Sequence, residues 1–164
     1  MLVAIIASLV LAVGLGMSPV GRSFARGLPL TWLVGFQGFR VLVELLLHRS
    51  YEEGLMPVQM SYTGRNFDIV TGITAVLLAV WLAKGRRSRR IVTAWNVMGV
   101  ALLANVLMIA LLSAPTPLRR FMNEPSNVWI THAPWVWLPS VMVVAALFGH
   151  VVVFRALSER NPNT

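Results

Sequence analysis

Cysteine is absent from this chain of 164 residues, acidic residues number six, and no lysine stands inside an apolar run. The first absence removes disulfides, thiolate nucleophiles and cysteine-based zinc or iron–sulfur centres. The last removes a retinal Schiff base. No serine, histidine and acid constellation, phosphate-binding loop or HExxH pair is present, which leaves catalysis unsupported rather than excluded. Charge is scarce as well: 12% of residues are charged and 57% hydrophobic, with a mean hydropathy of +0.72. A soluble domain carries about 25% charged residues. The net charge of +8 does not point to nucleic acid, because the basic residues flank apolar runs without the aromatic and glycine pattern of an RNA-binding sheet.

What is present is a series of apolar runs. They predict an all-α transmembrane helix bundle, one domain over residues 1–164, with spans at about 2–17, 30–48, 67–83, 91–112 and 135–154. The first run, at 16 residues, would be about 24 Å long and is short for a hydrocarbon core of roughly 30 Å, so the count is five spans or four. Its flanking charge, Arg22 and Arg26, comes after the apolar run, which favours an N-terminus-outside anchor over a signal peptide. Ser18 to Pro29 reads as a connector and Arg49 to Asn66 as an ordered loop or short surface helix. KGRRSRR, Lys84 to Arg90, is the strongest topological marker and should be cytoplasmic.

With the N-terminus outside and the C-terminus cytoplasmic, the inner side receives Arg22, Arg26, Lys84, Arg86, Arg87, Arg89, Arg90, Arg155 and Arg160, nine in all. The outer side receives four: Arg49, Arg65, Arg119 and Arg120. That asymmetry obeys the positive-inside rule and places the chain in a bacterial cytoplasmic membrane, with the lipid bilayer as its main partner. The Pro-rich segment between spans four and five is long for a simple turn, and loops of that length are often functional. Gly72, Ala75 and Ala79 share one face of span three, which should meet another helix and offers an interface for a homo-oligomer or a membrane-complex partner.

The second span carries Gln37, Arg40, Glu44 and His48, spaced by three, four and four residues and so on one helical face. Ionisable groups at membrane depth cost about 2.5–3.5 kcal/mol each even on lenient scales, so this face must look into protein or water. In the predicted topology Glu44, His48, Asp68, Asn105 and His132 converge near the outer face, with Arg40, Arg65 and Asn66 beside them. His150 lies toward the inner side. Asn96 and Asn105 fall on opposite faces of span four, and at least one should bond a neighbouring helix.

Three functions fit this set. The preferred one is binding or moving a small polar solute, ion or proton, with Glu44 and His48 exchanging protons, Arg40 setting the field, and Asp68 and His132 lining the entrance. The second is a transition-metal site built from His48, His132, Glu44 and Asp68, or a haem held by two of His48, His132 and His150. The third is an accessory or assembly subunit whose polar residues only fix packing. The plainer roles are an Arg40–Glu44 ion pair within one helix, Asp68 as a helix-start residue, and His150 as a packed helix contact.

GRNFDIVTGITA (Gly64 to Ala75), Ala94-Trp95-Asn96, LLSAPTPLRRFMNEPSN, and VWLPS before a distal His150 together resemble a family of small bacterial integral membrane proteins, from about Trp32 onward. The resemblance implies a multi-span inner-membrane protein. It carries no assigned activity and no catalytic residues.

Overall fold

Helices make up the regular structure of the computed structural model, which describes residues 2–159; no strand occurs among them. Met1 and residues 160–164 lie outside the described residues, and with them Arg160 of the charge count. Seven α-helices follow in order: α1 (Leu2–Met17), α2 (Pro19–Gly27), α3 (Leu30–Gly35), α4 (Phe39–Glu52), α5 (Asp68–Ala83), α6 (Arg89–Ser113) and α7 (Val143–Glu159). A 3-10 turn at Phe36–Gly38 joins α3 to α4 in one helix of 23 residues, Leu30–Glu52. A π turn at Leu138–Met142, containing Pro139, runs into α7 and extends it to 22 residues, Leu138–Glu159.

Three helices are long and apolar enough to cross a membrane: Leu30–Glu52, Arg89–Ser113 and Leu138–Glu159. α1 and α2 pass that test only as a pair, and they meet at a bend of 59°. α5 is apolar but has 16 residues, about 24 Å. The five spans expected from hydropathy thus become three by length, or four with the bent pair.

The boundaries move for local reasons. The expected connector Ser18 to Pro29 is largely helical, because Ser18 caps α2 by accepting from the Val20 N–H and Pro19 occupies the first turn, where its missing N–H costs nothing. The second helix runs four residues past His48, to Glu52, with Arg49 pairing Glu52 and Glu53 at helical spacing. Ser88 caps α6 through the Ile91 N–H and starts it at Arg89. The last helix begins later than Trp135 and takes in Ala156 to Glu159 of the expected polar tail.

α3–α4 and α5 run antiparallel along a seam of small residues. Gly35 faces Ala79, Gly38 faces Val76, and Gly72 faces Val41 so closely that a Cβ there would overlap its backbone nitrogen. The small face of α5 is therefore used inside the chain, and is not free as the oligomer interface it was expected to offer. α6 lies on the other side of α5, also antiparallel, with the Trp95 Nε1–H donating to Thr74 Oγ1 at 3.0 Å and the Asn105 amide donating to the Arg65 carbonyl at 2.9 Å.

Two apolar clusters occupy opposite ends of the bundle. One gathers Leu33, Val34, Leu78, Val92, Trp95 and Val153; the other gathers Leu47, Met56, Met60, Ile109, Trp129 and Ile130. Large hydrophobic side chains also cover the outside, among them Val10, Trp32, Leu42, Leu46, Leu77, Val97 and Met108. An apolar exterior around buried charge is compatible with a lipid-facing surface.

At the end of the first cluster, Arg155 closes the C-terminus of α1 by donating to the carbonyls of Gly16, Met17 and Ser18, and pairs with Glu159 at 2.8 Å. Glu159 also takes Arg26 at 2.7 Å. At the other end the long loop after α6 is ordered by its own bonds: Arg119 donates to the Phe121 and Asn123 carbonyls and to Glu124.

Arg155→Ala should destabilise the protein by about 1–3 kcal/mol through loss of these charge-assisted bonds, measured by unfolding in mild detergent, with faster amide exchange confined to the α1–α2 junction. The hydrogen bond from Arg119 holds the Glu124 carboxyl below its usual range. Its contribution is therefore present above an ordinary carboxylate pKa and lost as pH falls through the lower folded value. Any difference in melting temperature between the parent and Glu124→Gln should appear near neutral pH and vanish in strong acid.

Candidate functional site

Between the two apolar clusters lies a layer of buried polar side chains, each of the long helices contributing. Gln37, Arg40 and Glu44 come from the Leu30–Glu52 helix, Asp68 and Thr71 from α5, Asn96 from α6 and His150 from α7, and none is more than 6% exposed. Arg40 is the hub. Its Nε forms an ion pair with Asp68 Oδ2 at 3.0 Å and its Nη1 donates to His150 Nε2 at 3.1 Å, while Nη2 has no hydrogen-bond partner among the described residues.

His150 is held in one tautomer by what surrounds it. The Asn96 amide donates to the His150 carbonyl at 3.0 Å, which turns Asn96 Oδ1 toward the ring; Nδ1–H donates to that oxygen at 2.7 Å, and Nε2 is left to accept from Arg40. The ring is neutral in this arrangement. Gly99 makes room for it, since a Cβ there would overlap His150 Cε1. Gln37, in the 3-10 turn, donates to the Ala146 carbonyl at 2.9 Å and packs beside Gly149.

Glu44 is served from the loop before α5. The Asn66 amide donates to both of its oxygens, at 2.7 and 2.9 Å, and to the Met60 carbonyl at 3.0 Å. Asn66 Oδ1 accepts the Asp68 N–H at 3.1 Å and so caps the start of α5. Asp68 itself, expected to serve that helix start, is the counter-ion of Arg40. The layer thus sets two carboxyls against one guanidinium, with a neutral imidazole.

Arg40, Glu44 and Asp68 also line a partly enclosed cavity of about 80 Å³, whose other walls are apolar: Leu47, Met60, Leu103, Ala110, Trp129 and Leu138 among them. The cavity sits toward the end of the bundle formed by the C-termini of α4 and α6. The long loop closes it there with Trp129 and Ile130, and is fixed by Asn127, which donates to the Ala110 carbonyl at 2.8 Å and to the Ser113 carbonyl at 3.0 Å.

Of the residues expected to converge, Arg40, Glu44, Asn66 and Asp68 do. His48 is half-buried away from Glu44, sharing Nδ1 with Ser61 Oγ at 2.9 Å, stacking on Tyr62 and facing Glu52 at 3.7 Å. His132 is exposed, its Nδ1 within 3.2 Å of Thr131 Oγ1. Asn105 serves the Arg65 carbonyl, outside the layer. Arg40 turns to Asp68 and His150, so the expected ion pair with Glu44 within one helix does not form. Glu44 and His48 do not form a proton-relay pair either. His48, His132, Glu44 and Asp68 are not gathered, and no group of three or more His, Asp or Glu side chains able to hold a metal ion occurs among the described residues. His150, with both ring nitrogens engaged, is not offered as a haem ligand.

His150 and Asn96 were visible in the sequence as polar residues inside apolar runs; the missing information was that they meet the second helix at the same depth. The predicted topology sets Asn66 beside Glu44, but no sequence signal marked the bond between them.

The fold and this layer define an all-helical protein with three helices fit to cross a membrane and a charged cluster buried among them. The chain belongs to the family described as a domain of unknown function, DUF8737, whose model matches residues 1–158. No curated protein and no solved structure matches it.

Arg40→Met leaves Asp68 buried without its counter-ion and should cost about 3–5 kcal/mol, whereas the Arg40→Met, Asp68→Leu double variant should recover much of that loss. A double-mutant cycle by unfolding in detergent measures the coupling. Gly99→Ala should destabilise by about 1–3 kcal/mol, by pushing the His150 ring off Arg40 and Asn96.

Proposed function

We propose that this chain is a multi-span protein of a bacterial cytoplasmic membrane that binds, or passes across the bilayer, a proton or small cation at Glu44 and Asp68, with Arg40 setting the field. One observation carries the reading. Two carboxyls face one guanidinium beside a cavity inside an apolar bundle, and among the described residues the only other ionisable side chain bonded into the layer, His150, is neutral. Net charge in such a place is costly, so the cluster is completed by one positive charge. Glu44 and Asp68 are on the cavity wall and can exchange it; His48 and His132 are outside the set.

The proposed topology keeps five crossings, with the N-terminus outside. α5 is short, but it lies between the Leu30–Glu52 helix and α6 and antiparallel to both, with Thr71, Gly72, Ala75 and Leu78 packed inward and Ile73, Leu77 and Val80 on an exposed apolar face. α2, with Arg22 and Arg26 exposed and Gly21 and Ala25 buried, suits the inner interface after the bend. The cytoplasmic end then carries α2, the Lys84 to Arg90 turn and the end of α7, and the cavity is displaced toward the outer end.

The test is reconstitution in proteoliposomes with a pH-sensitive dye inside. The parent should move protons, or exchange a cation for protons, and Glu44→Gln, which keeps an acceptor for Asn66 but removes the exchangeable charge, should reduce that flux at least about tenfold. Flux equal to the parent's would exclude Glu44 as the exchanging group. Absence of flux in both, with Glu44→Gln lowering only stability or recovery of a bound partner, would assign the layer to packing in an accessory subunit.

A further inference from the structure

The same cavity says more about which cation completes the cluster. An inorganic cation asks for a shell of several oxygen ligands. Beyond the carboxyls of Glu44 and Asp68 the walls offer hydrocarbon: Leu47, Leu103, Val106, Leu107 and Ala110 among them. An anion would meet a cluster already one negative charge in excess. A neutral molecule would leave that excess uncompensated. What matches both the charge and the lining is a cation that brings its own apolar body.

We infer that the cavity receives a small organic ammonium ion, its charged nitrogen against the Glu44 and Asp68 carboxylates and a short alkyl body along the apolar wall. This deepens the reading given above and rests on it. When the ion enters in place of a proton, the carboxyl proton leaves to solvent and the charge of the cluster is unchanged. The size sets the body. A cavity of about 80 Å³ is roughly half the 150 Å³ of an apolar cavity that accepts the six carbons of benzene, so about three carbons fit within it. Because it is only partly enclosed, the end of a chain of about four carbons reaches into its mouth. The titratable groups on the cavity wall are Arg40 and Glu44 from α4 and Asp68 from α5; α6 and α7 line it with apolar side chains, and the neutral His150 and uncharged Asn96 stand behind Arg40.

The experiment is calorimetric titration of the full chain in lipid nanodiscs with n-butylammonium, butyrate and 1-butanol. Saturable binding of n-butylammonium with release of up to one proton, and none of butyrate, is expected. Glu44→Gln should weaken it about ten- to a hundredfold, the range for a lost charge-assisted bond. Ala110→Leu, which fills the cavity without touching a charge, should abolish it; Leu107→Phe does the same from another wall should Ala110→Leu fail to fold. Binding of butyrate or 1-butanol as tight as that of n-butylammonium would overturn the inference, as would n-butylammonium binding that neither Glu44→Gln nor the filled-cavity variants change. Proton or inorganic cation flux that depends on Glu44, together with no n-butylammonium binding, would remove the ligand class and leave the site standing. Dependent n-butylammonium binding without flux would keep the ligand and reduce the proposed role to binding.

Discussion

A guanidinium in the middle of an apolar bundle needs a counter-ion and acceptors, and the arrangement of helices follows from supplying them to Arg40. Asp68 comes from the start of α5, His150 from α7 and, behind His150, Asn96 from α6. Asp68 ties α5 and His150 ties α7 directly to α4, and Asn96 ties α6 to α7 through His150, each at about 3 Å and with defined direction, which apolar packing alone does not provide. The two hydrophobic clusters fill the ends; the polar layer decides how the helices stand relative to one another.

That requirement explains the small residues. Gly72 and Gly38 bring α5 against α4 closely enough for Asp68 to reach Arg40, and Gly99 gives the His150 ring its place between Arg40 and Asn96. It also explains an irregularity. The helix loosens into a 3-10 turn at Phe36–Gly38, where Gln37 reaches across to the Ala146 carbonyl, a kind of mid-helix departure often found at functional or strained positions. Stability and the proposed function draw on the same cluster here. The Arg40–Asp68 contact holds the fold, and the carboxyl left over, Glu44, is held by one amide from a loop and lies on the cavity wall.

Much of this was legible along the chain. Periodicity placed Gln37, Arg40, Glu44 and His48 on one face, since helical geometry is local and depends on spacing alone. Hydropathy located the core of every long helix. It misjudged the ends, because caps such as Ser18 and Ser88 and ion pairs such as Arg49 with Glu52 and Glu53 extend helices into polar sequence that hydropathy reads as loop. It also counted five spans where three helices meet the length required, since an apolar run says nothing of a bend at Ser18, and α5 is apolar but only 16 residues long.

The sequence by itself determined the class: a chain with so little charge and so much hydrocarbon must be helical and must bury Arg40, Glu44 and Asp68 somewhere. Only the tertiary structure decided with whom. His150 is 110 residues from Arg40 and Asn66 is 22 from Glu44, and pairings over such separations depend on which helices are neighbours and at what depth they cross. Depth took His48 out of the cluster and brought His150 in. Four residues beyond Glu44 is one turn along the same face, which carries His48 out of the polar layer toward Ser61 and Tyr62, whereas α7 returns through the bundle and sets His150 level with Arg40.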